Sequence, residues 1–272
     1  MKKNIKVCYS IRENLGNALN PIIIENILGR NVIWADEYEC ETSAIGSGLR
    51  LFYRKPSLCK FSEEEIDRLS PSQIWSSGFL TTPSADIRPI RKLKIASVRG
   101  YLSKEILEGI YEEEFDISVG DAGLLASELI RMPQKKHNLG IIPHDRERDE
   151  VKYKELCNIT KNSIIIDVRE DPLEGVKKIA ECECIISSSL HGLVVADSFN
   201  IPNKLVKLTD KPLGDGFKFR DYYSVYNLGV DYIDLNKVNN IDIESIMIDY
   251  RINSNQVEEL KKNIIKAFYK YI

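Results

Sequence analysis

Residues 184–206 read CIISSSLHGLVVADSFNIPNKLV. An apolar, strand-like run stops at Ser187, Ser188 and Ser189. Leu190, His191 and Gly192 then open an apolar helical pattern that ends at Asn200-Ile201-Pro202. In a parallel α/β sheet, ligands bind outside the carboxyl ends of strands. A helix starting there offers unpaired N–H groups and a partial positive charge. The serines add hydroxyl donors. His191 adds a group that can move a proton near neutral pH. Gly192 removes a side chain, so a ligand or a neighbouring strand can come close. The combination suits a small anion beside a proton-transfer group. Serine helix capping with a purely structural histidine is the other reading of the same residues.

The elements that must position this junction alternate along the chain. In the first half, 5–10 and 32–35 read as strands flanking a polar loop, RENLGN, and a helix over 21–28. Asn20 is the expected N-cap of that helix, Pro21 its first residue and Gly29 its stop. Residues 44–49, 73–79 and 94–100 are strands running into glycine, and 103–113 is a helix capped by Ser103. In the second half, strands at 139–143, 163–168, 184–187 and 204–208 alternate with helices at 149–159, 171–181 (capped by Asp171) and 190–199. Such alternation implies parallel sheets with right-handed crossovers. The polar, proline-bearing stretch RMPQKKHN (131–138) separates the halves and reads as a linker. This divides the chain into 1–131, 138–250 and a final helix within 251–272. Val257, Leu260, Ile264, Phe268 and Tyr271 share one face of that helix.

Composition narrows the function classes. A chain of 272 residues, 43% hydrophobic, can build cores for about two domains. A net charge of −3 gives no global field for nucleic acid, so any anion site must be local. The six cysteines form no CxxC pair, and Cys182-x-Cys184 suits neither a zinc knuckle nor a thioredoxin-type site. Reduced structural thiols are expected, and no metal is. Lys2 and Lys3 precede an apolar stretch too short for a signal peptide, and no run approaches a membrane span. A cytoplasmic location follows as the expectation.

Several segments together resemble one family. IISSSLHGLVVADSFNIPN is similar to the S-x-x-H-G-x-x-x-A-x-x-x-x-I-P signature of the polysaccharide pyruvyl transferases. NLGNALNP (14–21) resembles their N-x-G-D-x-L-x-P opening, with Asn17 where aspartate is usual. IGSGL and WSSGF resemble their glycine-ended strands, and VRGYLSKEIL (98–107) their V-R-G/E segment. VGDAGLLASEL (119–129) resembles Y-G-D-P-x-L-L, with Ala122 replacing proline. GIIPHDRERDE (140–150) and KFRDYY (218–223) match the I-P-H and K-F-x-D-Y-Y elements.

The resemblance implies two Rossmann-like domains facing a cleft, similar to the B-type glycosyltransferase fold, with the C-terminal helix crossing back onto the first domain. It implies transfer of pyruvate from phosphoenolpyruvate to two hydroxyls of a sugar in a bacterial surface polysaccharide precursor, forming a ketal and releasing phosphate. No cofactor is implied; phosphoenolpyruvate is the donor substrate, and the acceptor is a sugar or a lipid-linked oligosaccharide. Peripheral membrane association and oligomeric state stay open.

A donor with roughly three negative charges needs cations and oriented N–H groups. On the second-domain side the candidates are Ser187, Ser188, Ser189, Leu190, Gly192, His144, Arg146, Arg148, Lys218 and Arg220, joined by Arg99 from the first. His191 is expected either to transfer a proton or to contact phosphate. Asp121 is either a base toward the acceptor or a helix cap. Asn14, Gly16 and Asn17, between the first strand and helix, are assigned to the acceptor, and Trp34, Trp75, Phe79, Tyr222 and Tyr223 are candidate sugar platforms. A nucleotide-sugar glycosyltransferase of the same fold and a non-catalytic carbohydrate-binding relative are the rival readings.

Overall fold

Two five-stranded sheets, every pairing within them parallel, carry the molecule. The computed structural model describes residues 2–12 and 14–272; Glu13 of the expected RENLGN loop lies outside them. In the first sheet the spatial order is Arg30–Trp34, Lys3–Cys8, Thr42–Ser43, Ser72–Ile74, Leu93–Ile95. In the second it is Ser163–Ile165, His137–Ile142, Cys182–Ser187, Asn203–Lys207, Tyr232–Asp234. Both follow one scheme. The second strand lies outside the first, and the direction of winding reverses between the first and third. The fold is therefore the α/β class expected, with two Rossmann-like halves. His137 and Asn138, expected in the linker, already belong to the second sheet.

Local chemistry explains where the helices start. The first helix runs Leu15–Asn26, six residues earlier than its proline suggests, because Asn14 caps it by accepting from the Gly16 N–H at 3.1 Å. Pro21 then sits inside the helix, where it cannot donate to the carbonyl of Asn17. The Asn20 side chain, buried, donates to that carbonyl at 3.1 Å instead. Asn20 thus repairs an interior break, and the expected cap role is corrected. Likewise the Tyr101–Tyr111 helix starts at Gly100, and Ser103 lies buried within its first turn. Asp171 caps Pro172–Ala180 as expected, through the N–H groups of Leu173 and Glu174 at 3.0 Å each.

One continuous apolar core joins the halves. Leu15, Leu19 and Ile23 of the first helix share it with Leu124 and Leu125, with Val176 and Ile179, and with Leu193 and Val194. A second cluster (Leu139, Ile141, Cys184, Ile186, Leu156) fills the opposite face of the second sheet. The Ser254–Phe268 helix crosses back onto the first sheet. Val257, Ile264 and Phe268 are fully buried there, whereas Tyr271 lies beyond the helix end and is 41% exposed. Trp75 Nε1 donates to the carbonyl of Ile264 at 2.8 Å and its ring meets Phe268 edge-on, centroids 5.0 Å apart. Lys261 of the same helix reaches Ser198 of the second half at 3.1 Å. No helix among the described residues is long and apolar enough to cross a membrane.

Candidate active site

Ligands of such sheets sit where the winding reverses. Here the two reversal points face each other across a cavity of about 180 Å³. Cys8, Tyr9, Ser10, Arg12, Asn14, Asn17 and the 43–48 loop line it from the first half. His144, Asp145, Arg146, Ser189, Leu190, His191 and Lys218 line it from the second.

His191 lies in the first turn of the Leu190–Ser198 helix, 8% exposed. Its Nε2 is 3.6 Å from Oδ2 of Asp121, which is fully buried, and neither atom has a hydrogen-bond partner. Asp121 Oδ1 accepts from the Gly123 N–H at 2.8 Å and caps the Ala122–Glu128 turn. One carboxylate therefore caps with one oxygen and faces the imidazole with the other. Burial by itself would raise its pKa, but His191, the Gly123 N–H and Arg99 outweigh burial and hold the carboxyl below its ordinary range. The other ring nitrogen meets the first half of the chain. A Cβ on Gly16 would stand 2.0 Å from His191 Nδ1, so only glycine admits the ring at that helix start. Gly16 acts by the room it leaves. Asn14 is occupied as a cap, and Asn17 lines the cavity while donating to the carbonyl of Arg12 at 3.0 Å.

The three serines part company. Ser187 is fully buried. Its hydroxyl lies 2.9 Å from the carbonyl of Ile142 and accepts from the Ser189 N–H at 2.9 Å, which locks two strands together. Ser188 accepts from the His144 N–H at 2.8 Å and meets the Tyr153 hydroxyl at 3.0 Å. Ser189 is the one of the three that lines the cavity, and its hydroxyl makes no capping bond. A Cβ on Gly192 would lie 2.4 Å from Ser187 Oγ, so the space there admits the strand rather than a ligand. Ligand contact by Ser187 and Gly192 is thus corrected to packing.

The expected cations also sort. Arg99 is fully buried. Its Nε donates to Asp221 at 2.9 Å, Nη2 donates to the Phe79 carbonyl at 2.6 Å, and Nη1 donates to Ser47 at 3.1 Å. Asp221 also accepts from the Ser103 N–H at 2.8 Å and hydroxyl at 2.7 Å. Arg99 is therefore an inter-half latch that reaches the cavity only through Ser47. Arg220 is exposed and held by Asp215, with Nη1 donating to its carbonyl at 2.8 Å. It borders a neighbouring cavity of about 580 Å³. Arg148 pairs with Asp149 at 3.4 Å on the surface.

His144 lines the cleft, but burial, then nearby Lys218, pushes it down to about 4, so it is neutral near pH 7. Arg146 and Lys218 line the cleft, joined by Arg12 and Arg50, which sequence reasoning missed. Arg12 was legible by the strand-end rule, since it follows the first strand. Arg50 required the 43–48 loop to fold inward, which no local signal announces. Of the expected sugar platforms, Trp75, Phe79 and Tyr222 are core residues, Trp34 is exposed outside the cleft, and Tyr9 takes their place in the lining.

All six cysteines are free. Among the described residues no group of three His, Cys, Asp or Glu side chains could hold a metal ion.

Comparison with known proteins agrees with the resemblance drawn from the motifs. Residues 90–203 match the family model described as Polysaccharide pyruvyl transferase, a span that includes Arg99, Asp121, His144 and His191. The chain is similar to uncharacterized protein L143 of Acanthamoeba polyphaga mimivirus, 26% identical over 286 aligned positions, which cover 99% of this chain and 94% of the relative. It is also similar to the succinoglycan biosynthesis protein ExoV of Rhizobium meliloti (strain 1021), 25% identical over 158 positions, 57% of this chain and 47% of that one. Among solved structures, the wall teichoic acid polymerase TagF aligns over 97% of this chain and 84% of its own, at 10% identity and a TM-score of 0.42. The chain thus resembles the polysaccharide pyruvyl transferase family, and the family match supports a transferase in polysaccharide biosynthesis.

Proposed function

We propose that the protein transfers pyruvate from phosphoenolpyruvate to two hydroxyls of a saccharide, forming a cyclic ketal and releasing phosphate. The observation that carries this reading is the His191–Asp121 pair, set in a cleft whose remaining charged lining is mostly cationic. Arg12, Arg50, Arg146 and Lys218 offset the donor's charge, and the N-terminus of the Leu190–Ser198 helix adds oriented N–H groups. Asp121 favours the tautomer with its proton on Nε2 and leaves Nδ1 as the acceptor. His191 then removes the hydroxyl proton as each sugar oxygen attacks. The second half, with Arg12 and Arg50 reaching across from the first, holds the donor, and Asn17 and the 43–48 loop hold the acceptor. Four cations make a metal counter-ion unnecessary for donor binding.

Thermal denaturation tests the donor assignment. A ligand that binds only the folded state raises Tm by mass action. Phosphoenolpyruvate at millimolar concentration is expected to raise Tm, and Arg146→Ala to weaken that shift. A shift given by nucleotide sugars and not by phosphoenolpyruvate would favour the glycosyltransferase reading instead.

A further inference from the structure

We propose that Lys218 is the general acid that protonates the methylene carbon of phosphoenolpyruvate, which divides the proton transfers between this lysine and His191. The proposal rests on the pyruvyl-transfer reading above. Ketal formation starts by adding a proton to carbon, and that proton must come from a group that holds one at neutral pH and can release it. Arginines stay protonated in proteins and hold charge without giving up a proton. His144 is neutral, and its Nδ1 already accepts from the Arg146 N–H at 3.2 Å. His191 faces a carboxylate that keeps it oriented as a base.

Lys218 differs from each of these. It is half-buried on the Phe217–Ser224 helix and lines the cleft, where it also borders the neighbouring larger cavity. Its ammonium lies 5.0 Å from the Phe219 ring centroid and has no carboxylate partner among the described residues. Glu147, the carboxylate whose charge acts on it, is committed elsewhere. It accepts from the Tyr153 hydroxyl at 3.0 Å and from the Thr209 N–H and hydroxyl at 2.9 and 2.7 Å. Arg99 and His144 face Lys218 from the other elements, while Asp215 is held by Arg220. Burial first, then Arg99, pushes the lysine down to about 8 against the pull of Glu147, which leaves it protonated yet near the working pH.

The step balances. An Nζ–H bond breaks, and the carbon–carbon π pair forms the new C–H bond, leaving a cationic centre on the adjacent carbon. The first sugar oxygen attacks there and gives its proton to His191. The bond to phosphate breaks with its electron pair, and the second hydroxyl closes the ketal. Of the two hydroxyl protons, one replaces that lost by Lys218 and one leaves on phosphate.

Two variants separate proton donation from charge. Phosphoenolpyruvate affinity is measured by calorimetry, and transfer is followed with a panel of p-nitrophenyl hexosides across pH. Lys218→Arg keeps the charge and cannot donate. Affinity within about threefold of wild type is expected, with kcat lower by about 10² or more. Lys218→His restores a proton donor, so part of the rate should return, with the alkaline limb of the profile moved to lower pH. Near-normal kcat in Lys218→Arg, or a loss seen only in affinity, would overturn the role while leaving the pyruvyl-transfer reading in place. A wild-type chain that transfers pyruvate to no member of the panel would overturn both.

Discussion

At the scale of single residues, the site is defined by what Gly16 lacks. The His191 ring occupies the space a side chain would fill at the start of the first helix, and that contact joins the two halves of the cleft. Gly16→Ala improves helix propensity by up to about 1 kcal/mol while forcing the ring away from Asp121. Thermal stability should therefore change little, while turnover falls by about 10², the effect expected when a reacting group is misplaced by about 1 Å. An alanine variant with normal turnover would show that the ring position is immaterial. His191 and Ser189 were legible in the sequence because a strand end, hydroxyls and a helix start coincide there. The separate fates of Ser187 and Gly192 were not. Whether a hydroxyl faces a ligand or the next strand depends on sheet register, and no local pattern encodes that.

At the scale of elements, two of the family-like segments turn out to be halves of one joint. The Arg99 side chain grips Asp221 across 122 residues of sequence, and Gly100 is required because a Cβ there would lie 1.8 Å from the Asp221 carbonyl oxygen. The sequence marks both segments as special without revealing that they meet. Removing one partner of a buried ion pair strands the other charge, at a cost of about 3–5 kcal/mol. Arg99→Ala should accordingly lower stability by that order in denaturant titrations, and unchanged stability would refute the latch.

A second buried carboxylate ties the Leu190–Ser198 helix to its surroundings. Asp197 accepts from Tyr222 at 2.6 Å, Tyr250 at 2.9 Å and Asn203 at 2.5 Å. Burial nevertheless raises it to about 7, outweighing those three donors. With a folded value above the unfolded one, the folded state binds the extra proton. The associated stability is complete below about pH 4 and is lost as pH rises toward 7. The stability of wild type relative to Asp197→Asn should thus be higher at pH 5 than at pH 8. A relative stability that rises with pH would mean that the donors hold the group ionised.

At the scale of the whole molecule, two sheets wound the same way bring their reversal points face to face, and the shared core and the crossing C-terminal helix keep them there. The alternation of strands and helices was readable because apolar runs and glycine or proline stops recur through the chain. The first helix was misplaced because Asn20-Pro21 imitates a helix start, whereas Asn14 caps earlier and Asn20 repairs the carbonyl that Pro21 leaves unpaired. In the proposed function this cleft makes a pyruvate ketal, with His191 moving the hydroxyl protons. The measurement that bears on it most directly is incubation of the protein with phosphoenolpyruvate and a saccharide panel, following phosphate release together with product mass, for wild type and His191→Gln. Phosphate release matched by a saccharide product bearing one pyruvate as a ketal, with the rate lower by about 10² or more in His191→Gln, is the expected result. Glutamine at near-normal rate, or phosphate released without a pyruvylated saccharide, would contradict the account.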